Sequence, residues 1–345
     1  MEIGLGLPIS DPARLLEWAR LAEDHRFATV ALLDRLAYDN PEPLTALAVL
    51  AGATSRIRLQ TEVLLGPLRS TALLAKQVAT LDRMSAGRFV LGIGIGGRDD
   101  DHAAAGVPIT RRGRILDAQL ADLRGIWNGE PYRAPLPAGS RGEPRSADPG
   151  EPESQPAGSR AAARGLAGGA VRAVGVRGGS RAAGSAPADD SRSWRGEIGA
   201  AGWIGPRPSA VGGPPILIGG FASEALRRVA RFADGFVCAA PLEWAGGLVR
   251  TVNEQWKEAG RAGRARLVCQ INVAVGDAET VRRGRRAVAD YYAFTGRAGW
   301  GEPLSDPGRI AETVAAYREF GADELILYCY ADDPRQIELL AGIAR

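Results

Sequence analysis

Short apolar runs alternate with amphipathic stretches along the first 128 residues. The runs are rich in Val, Ile and Leu, as buried strands are, and the stretches between them repeat apolar residues at helical spacing. Parallel strands need a crossover helix between them, so four such units in succession predict a parallel sheet. The predicted strands of this part are residues 2–7, 28–33, 57–65 and 87–94.

The same alternation resumes after residue 213 and predicts four more strands. A helical pattern follows each of them. Eight strands with their helices favour a closed (β/α)8 TIM barrel over an open sheet, formed by a single domain of residues 1–345. These later strands are predicted at residues 214–220, 234–240, 266–275 and 323–330.

Between the fourth and fifth units, residues 134–201 have a different composition. Ala, Gly, Arg, Ser and Pro dominate this segment, and its stretch 159–193 contains no aromatic residue and only one Leu. Such a composition cannot bury enough apolar area to offset the entropy lost on ordering. We therefore predict a flexible insertion, with a substrate lid as the sharper alternative.

Charge and cysteine content narrow the function further. The net charge of +3 is small for 345 residues, and acidic residues are interleaved with basic ones, so no basic face indicates nucleic-acid binding. No apolar run reaches the roughly 20 residues that span a bilayer, and the first residues lack the pattern of a signal peptide. The three cysteines lie far apart, which predicts buried thiols rather than a metal site or a disulfide. We expect a cytoplasmic protein without a metal.

In such a barrel the functional residues lie at the carboxyl ends of the strands. The fourth predicted strand ends in a glycine-rich stretch in which Gly92, Gly94 and Gly97 formally match G-x-G-x-x-G. A dinucleotide site would need a helix starting at these glycines, whereas three aspartates at 99–101 follow and would repel phosphate. The glycines instead predict close approach of the backbone to a flat ring, with an ordinary tight turn as the alternative.

The fifth predicted strand ends in Gly219 and Gly220, and a helix is predicted to begin near Ser223. Free backbone N–H groups at a helix start bind anions, and glycines allow a phosphate to come close. Glu224 in the first turn opposes this interpretation unless its side chain turns outward. The alternative is an ordinary capped helix.

A third candidate is Glu62, near the end of the third predicted strand. A carboxylate in an otherwise apolar run is costly to bury unless it is paired. Glu62 is therefore either a functional group or half of a salt bridge to Arg35 or Arg98.

Taken together, four phrases resemble the bacterial luciferase-like flavin monooxygenase family, which also contains deazaflavin-dependent dehydrogenases and reductases. The resemblance covers about residues 1–128 and 204–345. The phrases are AxxTSRIRLQTEVL (51–64), AKQVATLDRMSAGRFVLGIGIGG (75–97), AAGVPITRRGRILD (104–117) and PPILIGGFASEALRRVARFADGF (214–236).

The resemblance implies a reduced flavin lying across the carboxyl ends of the strands, with a non-prolyl cis peptide after the third strand. It further implies a small-molecule substrate, a separate flavin reductase and a homodimer. The phosphate would be bound by Gly219, Gly220, Phe221 and Ala222. The ring would lie near Thr61, Glu62, Val63, Gly94 and Gly96.

One departure from the family pattern lies at the end of the second strand, where many relatives have Asp-His or Glu-His. Here the pair is Asp34 and Arg35. Arg cannot exchange protons near neutral pH but can stabilise an anion. We therefore expect Arg35 to stabilise an anion, and His102 or Glu62 to transfer protons. His25, the other histidine, lies on the first helix away from the active end and is expected to be structural.

The function predicted from these features is a monooxygenase that uses reduced FMN and oxygen on a small organic substrate. Two alternatives stay open. One is hydride transfer through a deazaflavin by a dehydrogenase or reductase, and the other is a non-catalytic flavin-binding protein that has kept the fold. The identity of the substrate is not predicted, because pocket side chains come from variable loops.

Overall fold

A computed structural model describes residues 1–7, 11–134, 202–297 and 299–343. Nearly all of the predicted insertion at 134–201 lies outside these ranges. The strands are β1 (Glu2–Gly6), β2 (Thr29–Leu32), β3 (Arg58–Thr61), β4 (Leu64–Leu65), β5 (Phe89–Gly94), β6 (Ile216–Gly219), β7 (Gly235–Cys238), β8 (Arg266–Val273) and β9 (Glu324–Cys329). The α-helices are α1 (Leu15–Asp24), α2 (Pro43–Ala53), α3 (Thr71–Met84), α4 (Asp99–Ala104), α5 (Arg112–Trp127), α6 (Ser223–Phe232), α7 (Leu242–Glu258), α8 (Ala278–Tyr292), α9 (Pro307–Phe320) and α10 (Arg335–Ile343).

The strands form a closed parallel barrel. Strand β1 pairs with β2 on one side and with β9 on the other, and the series continues through β8, β7 and β6 to β5. Strands β3 and β4 are two parts of one barrel strand, and both lie against β5. The predicted eight-stranded TIM barrel is confirmed.

Two apolar layers follow from the alternation of side chains along each strand. Outward residues such as Leu59, Leu91 and Ile218 pack against the helices in the larger core. Inward residues such as Val268 and Ile326 form a second, smaller core inside the barrel. The barrel is therefore a packed interior rather than a pore.

Several helix starts follow the capping preferences of their sequences. The side chain of Ser70 accepts a hydrogen bond from the N–H group of Leu73, and that of Asp277 accepts one from Thr280. Helix α6 begins at Ser223, as predicted, and its apolar side chains recur at helical spacing and are buried on one face. These caps satisfy backbone donors that a helix start leaves free.

A charged network closes the amino-terminal end of the barrel, where the strands begin. Glu324 is fully buried and accepts hydrogen bonds from Arg58 at 3.1 Å and from Arg266 at 2.8 Å. Glu2 bonds to the same two arginines at 2.6 and 3.0 Å. Each buried charge at this end is thus compensated by opposite charge.

Two elements differ from the sequence prediction. The single strand predicted at 57–65 is interrupted at Glu62 and Val63, whose peptide bond is cis. The aspartates at 99–101 form the first turn of α4, a helix that the sequence analysis did not predict. Acidic side chains are favourable in a first helical turn because they face the positive end of the helix dipole.

Candidate active site

The two glycine segments lie side by side at the carboxyl end of the barrel. In the pairing of β5 with β6, Ile93 is opposite Ile218, so Gly94 and Gly219 lie at the same level. A Cβ atom added to Gly94 would be 3.9 Å from the carbonyl oxygen of Gly219. The two glycine segments are thus close enough to contact one cofactor.

The strand glycines make room for the interrupted strand, not for an open space. A Cβ atom at Gly92 would collide with the carbonyl oxygen of Thr61. One at Gly94 would be 2.8 Å from a methyl of Val63, and one at Gly219 would be 3.2 Å from its other methyl. Val63 fills the space on the side-chain side of Gly94 and Gly219, and the close approach of this backbone to a flat ring stays a prediction.

Thr61 holds the interruption in place. Its side chain is completely buried, and its hydroxyl donates to the carbonyl oxygen of Gly92 at 2.7 Å. The cis peptide that the resemblance implied is present between Glu62 and Val63. Thr61 thus links the end of β3 to β5 directly before the cis peptide.

Glu62 is buried inside the barrel mouth and has no basic partner among the described residues. Gln60 lies two positions earlier on the same face and donates to one carboxyl oxygen at 2.7 Å, while Oε1 has no partner. Burial raises the pKa of Glu62 to about 8, more than the Gln60 hydrogen bond lowers it. Of the two alternatives for Glu62, the salt bridge to Arg35 or Arg98 is therefore wrong.

Tyr328 lies beside Glu62 in the barrel interior. Its ring crosses Gly6, where any Cβ atom would collide with it. The side chain is buried, and its hydroxyl has no hydrogen-bond partner among the described groups. Burial and the neighbouring Glu62 carboxyl both raise the pKa of Tyr328, so the hydroxyl keeps its proton. Glu62 and Tyr328 are therefore neighbouring buried groups that can each hold a proton.

Arg35 is paired elsewhere. Its Nε donates to Asp101 at 2.6 Å and its Nη2 to Asp100 at 2.9 Å, whereas its buried Nη1 has no partner. The second oxygen of Asp101 accepts from the backbone of Leu36 and Ala37. Asp100 and Asp101, which were expected to repel phosphate, thus hold Arg35 and the loop after β2. They also offset the positive charge of Arg35.

An aromatic series connects these groups across the barrel mouth. Tyr328 contacts Tyr330, Tyr330 contacts Tyr291, and Tyr291 contacts Tyr38 at ring distances of 5.6 to 5.8 Å. The guanidinium of Arg35 lies 5.4 Å from the Tyr38 ring. The mouth therefore combines flat apolar faces with a few polar groups, as small-molecule sites do.

His102 lies beneath the glycine loop. It is buried, and its Nε2 is 3.1 Å from the carbonyl oxygen of Ile95. A Cβ atom at Gly96, where φ is +73°, would be 3.1 Å from the same nitrogen. His102 therefore braces the loop, and a part in proton transfer stays a prediction. His25 caps the end of α1, as expected for a structural residue.

The start of α6 forms the other part of the candidate site. Gly220 has a φ of +142°, and the Phe221 side chain is 54% exposed. The Glu224 carboxylate is also exposed and bonds to Arg227 at 2.7 Å, one turn further along the helix. Backbone N–H groups at a helix start of this kind can donate hydrogen bonds to a phosphate.

Other classes of site find no support in the described ranges. Among those residues, no group of acidic, His or Cys side chains could hold a metal ion, and no helix is long and apolar enough to cross a membrane. The three cysteines are buried free thiols, as predicted. The exposed start of α6 and the glycines before it do fit the phosphate of a flavin-type cofactor.

A family comparison agrees with this geometry. The family model described as luciferase-like monooxygenase matches residues 3–174 and 176–312. The chain belongs to this family. Luciferase-like proteins include FMN-dependent monooxygenases and deazaflavin-dependent reductases, so the fold and a flavin-type cofactor are supported together.

Individual relatives are more distant. A 5,10-methylenetetrahydromethanopterin reductase from Methanolobus tindarius is 31% identical over 131 residues, which are 38% of this chain and 39% of that protein. The chain spans about half or less of the length of the curated relatives it matches. For two uncharacterized proteins from Mycobacterium bovis, the matched shares of their length are 48% and 31%.

Two solved structures share the luciferase-like barrel. A coenzyme-F420-dependent secondary alcohol dehydrogenase, bound to an F420–acetone adduct, is 14% identical with a TM-score of 0.70, and covers 100% of this chain and 99% of its own. The oxygenating component of 3,6-diketocamphane monooxygenase from Pseudomonas putida, bound to FMN, is 18% identical with a TM-score of 0.64, and covers 100% and 97%. At this identity the likeness concerns the fold.

Two residues at the site were missed by sequence reasoning. Gln60 could have been found, because strand residues two apart share a face and Glu62 was already a candidate. Asp101 is 66 residues from its partner Arg35, and no local pattern joins them. Its three acceptor contacts make it the organising carboxylate of the second-strand loop.

Proposed function

We propose that this protein is an oxidoreductase that transfers hydride between a deazaflavin and a small organic substrate. The carrying observation is Glu62, a buried carboxyl group at the barrel mouth without a basic partner. With a pKa of about 8, Glu62 is protonated at neutral pH and can exchange a proton with the substrate. A proton donor of this kind suits a reaction in which hydride and proton move separately.

The cofactor supplies the hydride when bound, and the protein positions it. Gly219, Gly220, Phe221 and Ala222 would bind the phosphate through backbone N–H groups at the start of α6. Val63, Gly94 and Gly96 would contact the ring, with Thr61 supporting the strand below and Glu62 at the ring edge.

The environment of Arg35 favours the hydride reaction, because the positive charge of Arg35 is already neutralised. Asp100 and Asp101 offset its charge, so Arg35 is not an uncompensated cation that would stabilise an anionic oxygen species. Its unpartnered Nη1 remains a hydrogen-bond donor for a substrate oxygen. The reductase relative from Methanolobus tindarius supports the same choice.

A second candidate is the monooxygenase that uses reduced FMN and oxygen. The unpartnered Nη1 of Arg35 is compatible with it as well, because a directed donor can also stabilise oxygen chemistry. The FMN-bound monooxygenase neighbour supports this candidate at the level of the fold. A separate flavin reductase would be needed only for this route, and that partner, the homodimer and the cytoplasmic location stay predictions.

Anaerobic titration of the full chain with reduced coenzyme F420 and reduced FMN tests the proposal. We expect F420 to bind more tightly, and no oxygen consumption in excess of a cofactor-only blank. Ala222→Glu should abolish binding by placing a negative charge at the phosphate, whereas Ala315→Glu on α9, equally exposed, should not.

The outcomes separate the candidates. Tighter FMN binding with oxygen consumption would replace the first candidate by the second. Binding of neither cofactor at micromolar concentration would overturn both.

A further inference from the structure

Helix α5 begins with an excess of positive charge. Arg111 directly precedes the helix, and Arg112 and Arg114 lie in its first turn, which has no acidic residue and no side-chain cap. Positive charges are unfavourable at a helix start, because the helix dipole is positive there as well. The starts of α8 and α9 are instead capped by Asp277 and Asp306. An anion beside the start of α5 would relieve this repulsion.

These three residues, the arginine cluster, have no ion-pair partner in the part of the chain that the structure describes. Asp117, three residues after Arg114, bonds instead to Arg228 of α6 at 2.6 Å. Arg112 donates through Nη1 to the carbonyl oxygen of Ile109 at 3.1 Å, while its buried Nε has no partner. The other two arginines are exposed. The cluster therefore offers uncompensated charge and free donors.

The arginine cluster lies beside the start of α6, where the cofactor phosphate is proposed to bind. A Cβ atom added to Gly113 would be 2.8 Å from Nη2 of Arg228, so the first turn of α5 packs against the second turn of α6. Arg228 is five residues after Ser223, which is about 7.5 Å along a helix. The two helix starts are therefore close to each other at the carboxyl end of the barrel.

The exposed arginines form a row that begins at the side of α5 facing α6. Asp117 marks this side through its bond to α6. Residues three apart are neighbours on a helix surface, so Arg114 adjoins Asp117 and Arg111 adjoins Arg114. In the first turn of α6, the Glu224 carboxylate is paired with Arg227 at 2.7 Å. A ligand that continues from the phosphate toward α5 would thus meet guanidinium groups.

We propose that the arginine cluster binds an anionic chain that continues beyond the phosphate of the cofactor. Coenzyme F420 has such a chain, because a lactyl group and glutamate residues follow its phosphate, whereas FMN ends at the phosphate. Guanidinium groups match carboxylates in charge and in hydrogen-bond geometry. The cluster then selects a deazaflavin cofactor by its tail, independently of its ring.

This inference rests on the proposed function and deepens it by naming the part of the cofactor that the start of α5 recognises. The ring and the phosphate can bind without the tail. The two proposals can therefore fail separately.

Fluorescence titration of the full chain with F420 and with its glutamate-free form tests the tail proposal. The two ligands share the ring and the phosphate and differ only in the glutamate residues. At low salt we expect F420 to bind about tenfold more tightly, since exposed ion pairs each contribute a few-fold. The ratio of the two affinities should approach one at high salt, because the arginine cluster is open to solvent.

Matched variants locate the effect. R111Q/R114Q should lower the affinity ratio to about two, because only Arg112 remains of the cluster. The control R309Q/R318Q removes two exposed arginines of α9, which also form no ion pair among the described residues, and should leave the ratio unchanged. Circular dichroism confirms that each variant is folded.

Equal affinity of the wild-type chain for the two forms would overturn the tail proposal and leave the proposed function standing. An unchanged ratio in R111Q/R114Q, or an equal loss in R309Q/R318Q, would also overturn it, because the preference would then not come from the start of α5. Binding of neither form would refute the proposed function itself.

Discussion

Two buried glutamates at opposite ends of one barrel have opposite surroundings. Glu324 is at the start of β9 and bonds to Arg58 and Arg266. Glu62 is beyond the end of β3 and bonds only to the neutral Gln60, with Oε1 unpartnered. Both are shielded from water, so the difference lies in the partners.

The contrast separates stability from chemistry. An ion network without an unpaired member can only hold strands together, and residues at the amino-terminal end of such barrels serve stability. A buried carboxyl left unpaired costs free energy, and proteins keep such groups where they do chemistry. The comparison assigns the carboxyl end of the barrel to function.

The sharpest way to break this comparison is Glu62→Gln. Glutamine keeps the shape but carries no ionisable proton, so we expect turnover to fall about a thousandfold. The assay uses whichever substrate, from a panel of small ketones, alcohols and amines, the unmodified chain converts fastest with its cofactor.

The control is the same substitution at the other end, Glu324→Gln, which should leave turnover of the folded protein within about threefold. If E62Q also retained turnover, Glu62 would have no part in proton exchange.

A second test uses pH. The pKa of folded Glu62 is about 8, above its ordinary value of 4.5, so between these values the folded chain holds a proton that the unfolded chain has released. Stability from this group is full below pH 4.5 and declines as pH rises to 8. Relative to wild type, E62Q should gain about 4 kcal/mol between pH 5 and pH 8.5.

Urea unfolding of both proteins at the two pH values measures this gain. Comparing the pair cancels the titration of the groups that do not interact with Glu62. A constant difference between them would mean that Glu62 titrates normally and is not shielded from water.

The third test removes charge from the paired end. Glu324→Gln leaves Arg58 and Arg266 with only the half-exposed Glu2, and we expect the free energy of unfolding at pH 7 to fall by about 2 kcal/mol. Urea unfolding measures it. At the same pH, E62Q should be neutral or stabilising, so similar losses in both variants would erase the distinction between the two ends.

Much of the barrel could be predicted because its evidence is local. Helix α6 lies where its apolar periodicity placed it, and strand β6 is bounded by the prolines and glycines that flank an apolar run. Eight repeats of such signals identify a barrel without knowledge of any long-range contact.

The site was less predictable because its contacts are not local. The run at 57–65 reads as one strand, and every residue in it tolerates strand geometry, so nothing in its composition places an interruption at Glu62 and Val63. The resemblance implied that feature; periodicity did not. The pairing of Arg35 with Asp101 likewise depends on the fold, and it decided that Glu62 has no basic partner.

The smallest expected effect concerns the charge nearest the proposed phosphate. Glu224 is fully exposed in the first turn of α6, where Arg227 partly offsets it. Glu224→Gln should tighten cofactor binding only about two- to threefold, because solvent and salt screen an exposed charge. The same substitution at Glu279, in the first turn of α8 and also paired one turn later, should leave affinity unchanged. Titration at low and high salt checks both variants. Since the gain is electrostatic, it should vanish at high salt. A gain that persists there would mean that the phosphate does not lie at the start of α6. The proposed cofactor site at the carboxyl end of the barrel would then lose its support.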